Sequence, residues 1–320
     1  MFQYRSLRLM LLLILLSSCS KTVHQVQPLK TDLNNPRTMF HSKVTNFNAS
    51  TRISEFSSNG EVFKLIEIGN NLSGITWDPF TQQYLALQNN SAIIYRYDRN
   101  FNFLGKVKKI GKIHNDTEGI SYFDASSLLI ATESNVAHRV KLNKNAKGKD
   151  YYNSIISFQL SERPLVKNKG LEGIAIRPGN SARPIMAFAA QEGSGRSVNA
   201  QMKVFSFNPL LQSSMLSNQY SYSDDALELS EPFSAEQELG NEITDISGLT
   251  FDPSGETLII LSHESKKALQ VVPETGKILS ILNLKGLPVY EGVTIGPAGE
   301  LVFVSERNWV QVYTNKLKLQ

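Results

Sequence analysis

One cysteine in 320 residues leaves no partner for an internal disulfide, so the fold has to stand on its core. Histidine is nearly as scarce. His24, His41, His114, His138 and His263 show no paired spacing, which together with the missing thiolates argues against a zinc site of nitrogen and sulfur ligands. Long apolar runs are missing too: the longest, Leu9–Leu16, is far short of the roughly 20 residues that cross a bilayer as a helix. Charge of one sign is also lacking, with 33 Lys+Arg against 29 Asp+Glu. That balance argues against a nucleic-acid partner, and the basic stretches Lys106–Lys112 and Lys141–Lys149 read as an outer-edge strand and a loop. No Gly-x-Ser-x-Gly elbow, phosphate-binding P-loop, His-Glu-x-x-His or EF-hand loop occurs, and Glu192-Gly193-Ser194-Gly195-Arg196 follows a strand without opening a helix.

What is present begins with Arg5 and Arg8, the short apolar run, and then Leu16-Ser17-Ser18-Cys19, which resembles a bacterial lipobox. Residues 1–18 are therefore expected to be a lipoprotein signal peptide, and Cys19 the lipidated first residue of the mature chain. Ser20 after it favours the outer membrane in a Gram-negative cell, with the domain facing the periplasm. The plain alternative is an ordinary signal peptide near a free cysteine. Residues 19–58, rich in Ser, Thr, Asn and Gln, are expected to be a flexible tether, and 59–320 the folded domain.

That domain repeats a phrase of Glu or Ser, Gly, aliphatic, small and apolar residues. The copies start at Ser73, Glu118, Glu172, Ser247 and Glu291, with glycines Gly74, Gly119, Gly173, Gly248 and Gly292 at intervals of roughly 45 to 75 residues. Each phrase is followed by a turn and a second apolar run (YLALQNN, LLIATESN, IMAFAAQEG, LIILSHES, LVFVSERN), which makes a β-hairpin. Third runs such as AIIYRYD and WVQVYT, and fourth runs such as FLGKVKKI, complete four-stranded units. The expected fold is an all-β propeller of five four-stranded blades. Its last blade is closed by the N-terminal run EVFKLIEI, residues 61–68, which joins the chain ends and removes a sheet edge. Six blades are the alternative, with the extra blade hidden around SNQYSYSDDALELSEPF, which otherwise reads as an insertion.

In a propeller the start of each inner strand and the end of the next strand share one mouth of the channel. Glu118, Glu172 and Glu291 are therefore expected in an inner ring, with Ser73 and Ser247 in the other two places. Glu133, Glu192, Glu264 and Glu306, with Gln88 in the first blade, are expected around them, and Asp116 and Asp245 lie two residues before their phrases. Carboxylates crowded in a narrow space repel unless protonated or bridged by a cation, and oxygen ligands suit Ca²⁺. The plain alternative is that glycine serves strand crowding and the acids are solvated. Arg196, Arg307 and His263 adjoin the acids and are candidate countercharges, and Trp77 and Trp309 read as core.

The phrases NLSGITWDP, DTEGISYF, KGLEGIAIRP, DISGLTFDPSGETLIILSHES and YEGVTIGPAGELVFVSERN resemble the SdiA-regulated family of bacterial β-propeller proteins, over residues 60 to 315. The resemblance implies an exported or membrane-associated propeller, calcium-linked in some members, with mouth glutamates as ligands; the matching positions are Glu118, Glu172 and Glu291. Serine in two of five places departs from a full carboxylate ring. Three functions are carried forward. The first is a lipid-anchored envelope module binding Ca²⁺ or a metal-dependent ligand, the second a metal-dependent, phytase-like phosphoesterase, and the third a metal-free scaffold for a protein partner.

Overall fold

Nineteen strands carry the described part of the chain. The computed structural model describes residues 51–90, 92–109, 116–144, 150–161, 169–180, 182–193, 201–210 and 228–315. Cys19 and its leader, the tether up to residue 50, Arg196 and the segment 211–227 lie outside the described residues.

The first sheet holds β2 (Leu72–Asp78), β3 (Gln83–Gln88), β4 (Ile93–Tyr97) and β5 (Phe103–Lys109). The second holds β6 (Thr117–Asp124), β7 (Ser127–Thr132), β8 (Val136–Lys144) and β9 (Asp150–Gln159). Each such four-stranded unit counts as one sheet, although a short parallel pairing of β5 with β9 joins these two into one of eight strands. The third has β10 (Leu171–Arg177), β11 (Met186–Gln191) and β12 (Lys203–Phe207). It is extended by one antiparallel bridge between Ser206 and Ser230, just ahead of the short helix α1 (Ala235–Leu239). The fourth is β13 (Gly248–Asp252), β14 (Thr257–Ser262), β15 (Lys267–Val271) and β16 (Ile278–Asn283). In the last, β17 (Gly292–Ile295), β18 (Leu301–Ser305) and β19 (Trp309–Asn315) are joined by β1 (Phe56–Lys64) from the other end of the described chain. Within each sheet neighbouring strands are antiparallel, as hairpins with short turns require.

The inner strands β2, β6, β10, β13 and β17 surround one axis. Gly119 packs on Gly173, Gly248 on Gly292, and Gly292 on Gly74, so the order closes on itself and the molecule is an all-β propeller. The core is distributed to match. Among the described residues each of five apolar clusters is shared by two adjacent sheets, from Leu87 with Ile120 and Leu128 round to Val302 and Val304 with Leu72 and Trp77. At roughly 1.5–3 kcal/mol for each large buried side chain, these inter-sheet layers hold the ring together.

Two features depart from the sequence reading. β1 begins at Phe56 rather than at residue 61, and Ile53 ahead of it is fully buried against Leu261 and Leu282. The strand thus takes in residues 56–58, whose polar surroundings read as tether in the sequence, and a bulge follows between Ser58 and Val62. The lysine-rich strand β5 is not a bare edge either: Lys108 and Lys109 pair in parallel with Tyr151 and Tyr152 of β9, and the Tyr152 hydroxyl bonds to the Ala92 carbonyl.

Candidate functional site

Each inner strand is irregular at the residue before its glycine. Leu72 faces Gln88 and Gly74 faces Leu87, so Ser73 is an extra residue; Glu172 is extra in the same way between Leu171 and Gly173. In β6 the shift falls between Thr117 and Ile120 and so includes Glu118. In the last two sheets the N–H groups of Ser247 and Glu291 bond to Leu261 and Val304, which also face Gly248 and Gly292. A bulge releases one side chain from the alternation of the strand. Repeated round the ring, it gathers Ser73, Glu118, Glu172 and Glu291 about a void of about 10 Å³, room for one water or bare ion.

Serine and glutamate do different work there. Ser73 Oγ donates to the Thr117 carbonyl at 2.8 Å and Ser247 Oγ to the Tyr290 carbonyl at 2.7 Å, the residues just before Glu118 and Glu291. These hydroxyls stitch neighbouring sheets. Ser247→Ala is expected to cost about 1–2 kcal/mol in urea unfolding by orphaning the buried carbonyl.

The outer ring follows from the hairpin register. The backbone N–H of Asn89, Glu133 and Glu192 bonds to the carbonyl of Asn71, Asp116 and Gly170 respectively, each two residues before its phrase. In the first sheet this place belongs to Asn89, not Gln88, because the hairpin through residues 79–82 is longer than that through 125–126. In the fourth sheet, with Leu261 opposite Gly248, the place falls to His263 rather than Glu264. Glu264 is exposed and accepts a hydrogen bond from Thr244 Oγ1 at 2.8 Å. Glu306 holds the place in the last sheet and is exposed, as is Asp116.

Two trios result. Glu118, Glu133 and Glu172 present carboxylate oxygens within 4.8 Å of one another, and Glu192, Asp245 and His263 form a second group of the same reach. The second trio is internally compensated. Lys169 Nζ, which no motif singled out, donates to Glu192 Oε1 at 2.6 Å, and His263 Nδ1 lies 2.8 Å from Asp245 Oδ2. Asp245, fully buried, also accepts from Ser262 Oγ and from the N–H groups of His263 and Glu264. Burial works to raise its carboxyl, but the bonds from His263 and Ser262 hold it below the ordinary aspartate range. The same bond to Asp245 lifts His263 to about 9 against the opposing effect of burial, with Glu291 and Glu192 adding to the rise. Glu192 is raised by burial, which outweighs the bond from Lys169.

Among the described residues the first trio has no such countercharge. Asn89 Nδ2 donates to Glu118 Oε1 at 2.5 Å and the Gly170 N–H to Glu133 Oε1 at 2.9 Å, both neutral donors. Burial, then the charges of Glu133, Glu291 and Asp116, push Glu118 up to about 9. Burial and the charges of Glu118, Glu133 and Glu192 push Glu172 well above the usual range. Glu291 rises to about 8, chiefly by burial, with His263 opposing. The mouth therefore crowds its carboxyl groups on one side, at Glu118, Glu133 and Glu172, where burial and mutual repulsion favour the protonated form of Glu118 and Glu172 until a cation replaces the proton.

Among solved structures, the chain is similar to the glutaminyl cyclase of Myxococcus xanthus at 10% identity and a TM-score of 0.49, covering 81% of this chain and 95% of that one. It is similar to a chain of a nidogen/laminin complex at 14% identity and a TM-score of 0.45, over 74% and 72% of the two chains. It is also similar to a luciferin-regenerating enzyme at 14% identity and a TM-score of 0.40, over 79% and 94%. None of them bears on chemistry here. The SdiA-regulated family model matches residues 48–313, nearly the whole folded chain, and the protein is a member of the SdiA-regulated family.

Proposed function

We propose that the protein is a binding module that holds a hard divalent cation, Ca²⁺ by preference, at the acidic mouth of its propeller. In this reading Cys19 anchors it to the envelope, and the domain faces the periplasm from the outer membrane. The observation that carries the reading is the uncompensated trio of Glu118, Glu133 and Glu172 beside a void of ionic size. Three converging carboxylates with no cationic partner among the described residues are electrostatically costly, and an all-oxygen donor set matches Ca²⁺ better than a softer metal. Lys169 and His263 balance the neighbouring acids instead, so the ion is directed to one side of the mouth. A phosphoesterase would need cations free to hold phosphate, and Lys169 and His263 are already engaged, which leaves the exposed Arg307 as the candidate among the described residues.

The test is calorimetric titration with Ca²⁺. Binding is expected in the wild type and lost in Glu118→Gln/Glu172→Gln. Because Glu118 titrates near 9, binding at neutral pH displaces a proton, so the measured heat should vary with the ionisation enthalpy of the buffer and affinity should rise with pH toward 9. An athermal wild-type titration, confirmed by unchanged melting in Ca²⁺, counts against the reading.

A further inference from the structure

Beyond the glycine ring the channel opens at its opposite end into a cavity of about 250 Å³, a little under the roughly 300 Å³ at which small-molecule pockets begin and so suited to a small ligand. Its lining includes the exposed Arg99 and no carboxylate. That is not obvious from the sequence, because the phrases end in Asp78 and Asp252 at this same end. Both acids bond within their own turns, Asp78 through both oxygens and Asp252 through Oδ1. Asp78 accepts from the Phe80 N–H at 2.9 Å and Thr81 Oγ1 at 2.5 Å, and Asp252 accepts from the N–H and Oγ of Ser254 at 2.9 and 2.7 Å.

The small residue of four of the five phrases supplies the inner wall: Thr76, Ser121, Thr250 and Thr294. Thr294 Oγ1 accepts the Trp77 N–H at 3.1 Å and Thr76 Oγ1 the Tyr122 N–H at 3.4 Å, so these two hydroxyls spend a lone pair on the next strand and keep a proton to donate, whereas Ser121 Oγ donates to the Tyr122 carbonyl at 3.3 Å. Trp77, Tyr122 and Phe251 add aromatic surface. One end of the channel thus gathers acids, while the other offers one guanidinium, hydroxyl donors and rings.

We propose that this cavity is a second binding site, taking a small organic monocarboxylate with an apolar body. Arg99 and the hydroxyls receive the carboxylate, and the rings receive the body. No carboxylate lines the cavity, so a cation has no direct ligand there, and an inorganic anion would leave the aromatic surface unused. The site is independent of the cation reading, since it shares no side chain with the acidic mouth.

Benzoate is a suitable probe, followed by quenching of Trp77 emission and by calorimetry on the whole protein. Saturable binding is expected, weakened about tenfold or more in Arg99→Gln, where a charge-assisted bond is lost from an exposed, structurally tolerant position. Thr250→Val should weaken it less, and Trp77→Phe should remove the optical signal while calorimetric binding persists. Benzyl alcohol and inorganic phosphate should both bind worse than benzoate. No saturable binding, equal affinity in Arg99→Gln, or either control matching benzoate would overturn the proposal. Ca²⁺ titration of Arg99→Gln should be unchanged, which keeps the two sites distinguishable.

Discussion

Glu118→Gln/Glu172→Gln is expected to melt higher than the wild type in chelator at about pH 8, and to be overtaken by the wild type when Ca²⁺ is in large excess. The sign follows from linkage. A carboxyl lifted from the ordinary glutamate value of 4.5 to about 9 holds its proton in the folded state where the unfolded chain has lost it. Folding then takes up protons between those values, and stability falls as pH rises through that window. His263 adds to the fall: its ion pair with Asp245 stabilises fully below 6.5, and the contribution disappears as pH passes about 9. The metal-free wild type should therefore lose stability steadily from about pH 6.5 to 9.

Glutamine keeps an acceptor for Asn89 and removes the charge, so the double variant escapes the glutamate share of that loss. The gain is on the order of 1–3 kcal/mol once coupling between the acids is allowed for, a rise of several degrees in a domain of this size. Ca²⁺ reverses the order because it binds only the folded wild type; a hundredfold excess over Kd contributes about 2.7 kcal/mol. Thermal melts in chelator and in Ca²⁺ across this pH range test it. Identical wild-type and variant profiles in chelator would mean that the acids are solvated, and the charge-crowding argument would fail with them.

Gly173→Ala is expected to be the most damaging single substitution at the ring. A Cβ there would lie 2.6 Å from the Leu249 nitrogen and 2.7 Å from the Leu249 Cβ. Both atoms belong to the neighbouring inner strand, and neither is the movable tip of a side chain. Nor can β13 step back freely, because Gly248 is packed on Gly292 and Gly292 on Gly74, which closes the ring. A cost of about 3 kcal/mol or more is expected. Gly292→Ala should cost less, since its nearest contact is a side-chain atom, Val304 Cγ2 at 2.9 Å, and its backbone neighbours Gly74 and Ser73 lie farther off at 3.2 Å. Gly69→Ala meets nothing within 4 Å and should be close to neutral. Urea unfolding of the three gives a ranking, and a Gly173→Ala midpoint near that of Gly69→Ala would contradict close packing at the axis.

Much of the architecture was readable before any coordinates. The repeated phrase predicts the inner strands and their hairpins because glycine flanked by apolar residues marks where backbones crowd, and alternation marks the rest. The short last repeat calls for a strand from the N-terminal end, and β1 supplies it, displaced because the polar surroundings of residues 56–58 hide strand character from composition. Lys169 gave no signal, since a single lysine beside a loop has no spacing to read.

By itself the sequence determined that the acids recur at strand ends, and hence that one mouth of the propeller would be acidic. Tertiary structure decided how the charge divides there. Hairpins of unequal length put Asn89 and His263 in outer places counted for Gln88 and Glu264, and bulges turned Glu118 and Glu172 toward the axis. The reason is that sequence spacing counts residues along one chain, whereas which acid meets a cation depends on register between strands. A shift of one residue there exchanges a carboxylate for an imidazolium.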